Sequence, residues 1–147
     1  MIFFGRYNSF YILRLQLNRT MPKKKYQVEF SIKSSPSLLY NYISNPSGLS
    51  EWFADNVNSR GEKYTFIWDG HEESAFLMKS KQDSYVRFQW EYDEDTKYFF
   101  ELTIVEDDLT NDVSLVITDF ADEDEVEESK QLWESQIEDL KKILGSV

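Results

Sequence analysis

The chain has no cysteine and a single histidine, His71, in 147 residues. Without thiols it forms no disulfide, no thiolate zinc site and no cysteine nucleophile, which excludes zinc fingers, thiol enzymes and disulfide-stapled secreted scaffolds. One imidazole leaves a single candidate base for a Ser-His-Asp arrangement and would force any metal site to draw its remaining ligands from carboxylates. Glycine (5) and proline (3) are scarce, so the connections must be specified mainly by Asp, Asn and Ser. Long apolar runs are also missing. Nothing approaches the roughly 20 residues of a membrane span, and the apolar stretch Phe10 to Leu13 falls short of the roughly 7 to 15 residues of a secretory core. A cytoplasmic location is therefore expected. What is present is 41% hydrophobic and 16% aromatic residues with a formal charge of −11, enough for one ordinary globular domain and too little for two.

Composition divides the chain near Met21. Residues 1–20 contain Arg6, Arg14 and Arg19 but no acid, whereas from Met21 onward thirteen bases face twenty-seven acids, a charge of −14. An Arg-rich, acid-poor stretch with Phe3, Phe4, Phe10, Tyr11, Leu13 and Leu17 as its apolar side has the make-up of a presequence or a surface-binding amphipathic segment. It carries no capping or cleavage signal, which favours untidy upstream sequence with Met21 as the real start. Residues 1–22 are accordingly expected to be a non-domain extension and residues 23–147 the domain.

Within that domain the patterning is legible. Tyr26, Val28, Phe30 and Ile32 alternate with polar residues, the period of a strand with one wet face. Ser35 followed by Pro36 is a helix start, and Leu38, Leu39, Tyr42 and Ile43 follow at helical spacing. Asn45 and Pro46 break the chain, and a second short helix runs towards Trp52 and Phe53. Alternation then resumes through Tyr64, Phe66 and Trp68, through Phe76 and Met78, through Val86, Phe88 and Trp90, through Tyr98, Phe100, Leu102 and Ile104, and through Val113, Leu115 and Ile117. The short polar pieces between them, at 69–71, 82–84, 93–96 and 107–112, imply an antiparallel meander. Finally Val126, Trp133, Ile137, Leu140 and Leu144 share one face of a helix that has acids at its start, Lys141 and Lys142 at its end and Gly145 as terminator. At about 1.5 Å per residue this helix is roughly 30 Å long and can cover a sheet face.

That order of elements resembles the helix-grip fold of the START-like superfamily, which includes the birch-pollen allergens, and within it the branch related to the C-terminal domain of the activator of the heat-shock chaperone ATPase. The resemblance is carried by the first-helix segment Ser35 to Ile43, the proline-centred turn Asn45 to Phe53, the strands Tyr85 to Trp90 and Phe99 to Ile104, and the closing helix Gln131 to Leu144. It spans about residues 25 to 145. It implies an α+β domain in which a curved antiparallel sheet is gripped by a long C-terminal helix, with a cavity between the two. The short polar stretch from Asp55 to Glu62 departs from the pattern, so ligand-access loops of relatives do not transfer. No activity follows, because the superfamily hosts lipid carriers, cyclases and chaperone cofactors alike.

On position, the side chains expected to wall such a cavity are Phe66, Trp68, Phe88, Trp90, Phe100, Leu102, Trp133, Ile137 and Leu140, apolar surfaces of the kind that surround small hydrophobic ligands. The same residues at strand and helix spacing also make an ordinary filled core. His71 beside Asp69, Glu72 and Glu73 is a base without a recognisable nucleophile setting. Glu91 with Asp93 to Asp95, and Asp107, Asp108 and Asp112, lack the glycine-containing calcium loop and read as solvated hairpin tips. Alternation turns Arg87 outward or against an acid on the next strand. No cofactor or metal is called for. The charge disfavours nucleic acid and anionic membranes as partners, whereas the acids from Asp119 to Glu128 suit a basic protein surface. Two functions follow: a non-enzymatic domain holding a lipid or aromatic metabolite, or a chaperone-associated or other interaction module with a filled core and an acidic surface.

Overall fold

In a computed structural model of the chain, the structure describes residues 22–146. The expected extension, residues 1–22, lies outside the described residues except for its last position. The elements run β1 (Lys24–Ile32), α1 (Pro36–Ser44), α2 (Pro46–Trp52), β2 (Asn56–Arg60), β3 (Lys63–Trp68), β4 (His71–Lys81), β5 (Tyr85–Trp90), β6 (Phe100–Glu106), β7 (Val113–Ala121) and α3 (Val126–Leu144). Single 3₁₀ turns at Glu91–Asp93 and Glu123–Glu125 precede β6 and α3. All seven strands form one antiparallel sheet in the order β1-β7-β6-β5-β4-β3-β2. Strands β2 to β7 are thus an uninterrupted meander, and β1 closes its β7 edge.

Local chemistry sets the boundaries. The Ser35 side chain accepts from the Leu38 N–H at 3.1 Å and Asn45 Oδ1 from the Gly48 N–H at 2.8 Å, each satisfying an orphan donor at a helix start, with proline next in line. Four hairpin or loop positions require a left-handed backbone and are filled by Asp69, Asp83, Asp95 and Asn111, the residue types that adopt it at least cost after glycine. At the far end Gly145 adopts φ 72° and its N–H reaches the Lys141 and Lys142 carbonyls, ending α3 as its glycine and terminal lysines foretold.

The long helix is pinned at both ends to β1. The Tyr26 hydroxyl bonds to Ser129 Oγ near the start of α3, and the Lys33 N–H donates to Ser146 Oγ just past its end at 2.6 Å. The two spans match, since seven residues of strand at about 3.3 Å and seventeen of helix at about 1.5 Å both cover roughly 25 Å. The helix therefore runs in line with β1 over the inner face, packing on β1, β7 and α2, while α1 and α2 pack on β2, β5 and β6.

One strand face departs from expectation. Phe76 and Met78 were expected on the same inner face as their neighbours' aromatics, but the buried positions of β4 are Glu73 and Ala75, and Met78 is exposed. A bulge between Leu77 and Lys79 shifts the register against β5, where Leu77 pairs with Phe88 and Lys79 with Arg87. Ala75 opposite Trp90 and Leu77 opposite Phe88 take the inner face, so Phe76 and Met78 alternate outward, and the bulge then turns Lys79 outward beside Met78. Asp93 is a second difference. Expected at a solvated tip, it is buried, with Lys23 Nζ 3.6 Å from its Oδ1.

Candidate functional site

The nine expected wall residues come together. Phe66 and Trp68 stand on β3, Phe88 and Trp90 on β5, Phe100 and Leu102 on β6, and Trp133, Ile137 and Leu140 on the facing stripe of α3. Each is at most 2% exposed. Their rings touch in sequence: Phe66 to Trp90 at 5.6 Å between centroids, Trp90 to Phe100 at 5.0 Å, Phe88 to Phe100 at 5.3 Å and Phe100 to Trp133 at 6.0 Å. These separations fall within the 4.5 to 7 Å contact range of packed aromatic pairs. The nine are neighbours in one apolar core.

The residue that joins sheet to helix is Phe53. Its ring meets Phe66 at 5.2 Å, Trp68 at 5.6 Å, Trp133 at 5.8 Å and Phe100 at 6.2 Å, filling the space between β3, β6 and α3. Sequence reasoning placed Phe53 in the proline-centred turn and did not count it among the walls. The usable signal was the Asn45 cap. Once the cap fixes where α2 starts, Trp52 and Phe53 fall at the end of its second turn, and both are buried.

Bulky indoles and phenols are buried here because their polar ends are bonded, which removes the cost of stranding a donor. Trp68 Nε1 donates to the Phe53 carbonyl at 2.8 Å, Trp52 Nε1 to the Tyr42 carbonyl at 2.8 Å, and the Tyr64 hydroxyl to the Ser44 carbonyl at 2.8 Å. Burial, reinforced by Tyr40, raises the Tyr64 pKa above the ordinary phenol value. Trp133 Nε1 donates to Asp119 Oδ2 at 2.9 Å, tying the middle of α3 to β7. Gln136 is also buried; its Nε2 lies 3.5 Å from the Phe53 carbonyl, and its Oε1 has no hydrogen-bond partner among the described residues.

Open clefts lie elsewhere. One of about 620 Å³ runs along α1 and α2 between Leu38, Asn41, Tyr42, Asn45, Ser47, Gly48 and Glu51. Another of about 320 Å³ lies on the outer sheet face. Neither is lined by any of the nine.

The chemistry-bearing candidates are dispersed. His71 is exposed and opens β4 opposite Trp68. Arg87 points away from the core and bonds Glu101 Oε2 on β6 at 2.9 Å, in the alternative that placed it against an acid on the next strand. Among the described residues no three His, Asp or Glu side chains gather to hold a metal ion, and no helix is long and apolar enough to cross a membrane.

The acidic run is partly structural and partly bare. Asp119 is buried under Trp133, while Glu123, Asp124, Glu127 and Glu128 are exposed before and within the first turn of α3, where anions suit the helix dipole. Lys24 lies 3.9 Å from Glu123 and Lys130 3.7 Å from Glu127. Crowding shows at Glu125, whose pKa is raised first by desolvation and then by the carboxylates of Asp122, Glu128 and Asp124.

A family model described as a START-like superfamily domain matches residues 20–146. Among solved structures, the solution structure of BfR322 from Bacteroides fragilis is 36% identical, with TM-score 0.63 over 84% of this chain and 92% of that one. The Aha1 dimer from Colwellia psychrerythraea is 16% identical, with TM-score 0.69 over 82% of this chain and 96% of that one. DynU16, described as a putative protein in the dynemicin biosynthetic locus, is 15% identical, with TM-score 0.70 over 84% of this chain but 48% of its own. At such identities the last two show a shared fold alone. No curated protein matches the chain.

Proposed function

The chain belongs to the START-like superfamily, and from that premise we propose that it is a non-enzymatic protein-interaction module whose core is filled by its own aromatic side chains and whose acidic surface at the start of α3 meets a basic partner. The observation that carries this reading is the packing of Phe53 against Phe66, Trp68, Phe100 and Trp133, which occupies the space a guest would need. Admitting a ligand there means moving rings whose burial is worth about 1.5 to 3 kcal/mol each. The exposed acids Glu123, Asp124, Glu127 and Glu128 offer a surface whose charge exceeds that of the nearby lysines.

One observation favours the second reading, a carrier of a small hydrophobic molecule walled by Phe66, Trp68, Phe88, Trp90, Phe100, Leu102, Trp133, Ile137 and Leu140. Gln136 Oε1 is buried without a hydrogen-bond partner among the described residues, where a ligand hydroxyl or amide would satisfy it.

Two measurements separate the readings. Native mass spectrometry of gently purified protein, with thermal-shift screening against lipids and aromatic metabolites, is expected to find only the bare chain and no shift. A retained guest would replace the module with the carrier. Charge reversal at Glu123, Glu125, Glu127 and Glu128 is expected to weaken capture by an immobilised lysine-rich peptide severalfold. Unchanged capture would remove the acidic surface from the proposal.

A further inference from the structure

The outer sheet face carries a feature at odds with the overall charge of −11. The groove there is lined by Met78, Lys79, Arg87, Gln89, Lys97 and Phe99. Three cations and two apolar side chains meet; Arg87 is already paired with Glu101 on β6, so Lys79 and Lys97 carry the excess positive charge. On one side Met78 is 53% exposed, and the β4 bulge turns Lys79 to the same outer face, opposite Arg87. On the other side Gln89 Nε2 donates to the carbonyls of Thr96 at 3.1 Å and Tyr98 at 2.8 Å, holding the segment that bears Lys97 and Phe99 against β5. The Arg87 guanidinium lies 3.9 Å from the Phe99 ring centre, and Lys25 Nζ is 5.9 Å from it, so the aromatic floor is already framed by cations.

The complementary shape occurs once more in the same chain. At the β6–β7 hairpin tip Leu109 is 93% exposed and sits beside Asp107, Asp108 and Asp112. The tip is preformed. Asp107 Oδ1 accepts from the N–H groups of Leu109 at 2.8 Å and Thr110 at 3.0 Å, and the Asn111 N–H donates to the Asp107 carbonyl at 2.9 Å. The bonds from Thr110 and Leu109 hold the Asp107 carboxyl below its ordinary pKa, keeping it anionic. A leucine presented on an ordered turn loses little conformational entropy on docking.

Tip and groove cannot meet within one molecule. Lys97 and Phe99 precede the start of β6 and the tip follows its end, so the seven residues of the strand separate them by roughly 23 Å. Two chains related by a two-fold axis perpendicular to β6 bring each tip to the other's groove, a reciprocal contact that closes on itself.

We propose that this groove is a self-association site that takes the Leu109 hairpin tip of a second copy of the chain, with Leu109 against Met78 and Phe99 and the aspartates against Lys79 and Lys97. The contact is small and charge-assisted, so the dimer is weak and salt-sensitive.

Sedimentation equilibrium of the full chain over roughly 10 to 500 µM, the range a sub-standard interface implies, is expected to show the apparent mass rising from one chain towards two at low salt. Association is expected to weaken at least about tenfold in Leu109→Asp and in Lys97→Glu, a loss of roughly 1.4 kcal/mol or more. Both positions are exposed, so the fold stands. Leu38→Asp, an exposed leucine on α1, is expected to change nothing. Mixing Leu109→Asp, which keeps its groove, with Lys97→Glu, which keeps its tip, is expected to restore a hetero-complex through one of the two contacts. A chain monomeric at every concentration, association indifferent to both substitutions, or a mixture no stronger than its parts would each overturn the proposal.

Discussion

Replacing Gly48 by alanine inverts an ordinary rule. Gly48 lies inside α2, where alanine is normally favoured over glycine by up to about 1 kcal/mol. A Cβ built there would lie 2.1 Å from the Asn41 carbonyl oxygen, 2.6 Å from the Tyr42 Cα and 2.9 Å from the Asn41 carbonyl carbon. All three are backbone atoms of α1, so no side chain can rotate out of the way. Relief requires α2 to retreat from α1 by roughly 1 Å or more, because carbon and oxygen pack at about 3.3 Å or beyond. That movement drags Trp52 and Phe53, at the end of α2, out of contact with the sheet and α3. Overpacking alone costs about 1 to 3 kcal/mol, and disturbing Phe53 adds to it, so the net loss after the propensity gain is expected to be about 2 kcal/mol. With a urea slope of about 2 kcal/mol per molar, the midpoint falls by about 1 M. Equilibrium urea denaturation followed by tryptophan fluorescence measures it, since Trp52 lies in the affected region. A Gly48→Ala chain as stable as the parent, or more stable, would refute the close approach of the two helices and the packing derived from it.

Two further outcomes follow from the same geometry. Phe53→Ala is expected to lose about 3 to 5 kcal/mol in chemical denaturation, the range for deleting a buried ring, and to create a void that benzene stabilises in the variant but not in the parent; a loss below about 1 kcal/mol would contradict its place at the centre of the core. Glu125 gives a pH signature. Desolvation and its neighbouring carboxylates raise its folded-state pKa, so the folded chain holds that proton more tightly than the unfolded one, and stability is lost as pH rises through the raised value. Glu125→Gln is therefore expected to be more stable than the parent at pH 7, with the difference vanishing below the ordinary glutamate range; an equal difference at both pH values would refute the assignment.

The aromatic core and the acidic surface answer different demands. Ring packing around Phe53 fixes the domain and does not by itself identify a partner. Charge at the start of α3 supports the helix through its dipole whether or not a basic surface binds there. The outer-face groove differs from both, because an exposed methionine and two lysines meet there on a half-buried phenylalanine at one point of an acidic chain. Each of the three therefore has its own experiment, and failure of one leaves the others standing.

Periodicity and caps determined most of the architecture from the sequence alone. Alternation set β1, β3, β5, β6 and β7, the Ser35 and Asn45 caps set α1 and α2, and Gly145 set the end of α3, because each signal is local and acts through a few bonds of nearby backbone. The nine apolar residues named as cavity walls gather in one core for the same reason, since a fixed period fixes a face. Three things needed the tertiary structure. The facing of β4 was decided by strand pairing, which sets Ala75 against Trp90 and Leu77 against Phe88 and leaves Met78 exposed, while a bulge with no signature in a hydrophobic pattern turns Lys79 out beside it. Asp93 became buried because Lys23, seventy residues away in the chain, lies beside it. The space beneath α3 was occupied by Phe53, because how much room a helix leaves over a sheet depends on volumes brought together from distant segments, and no local pattern encodes that sum.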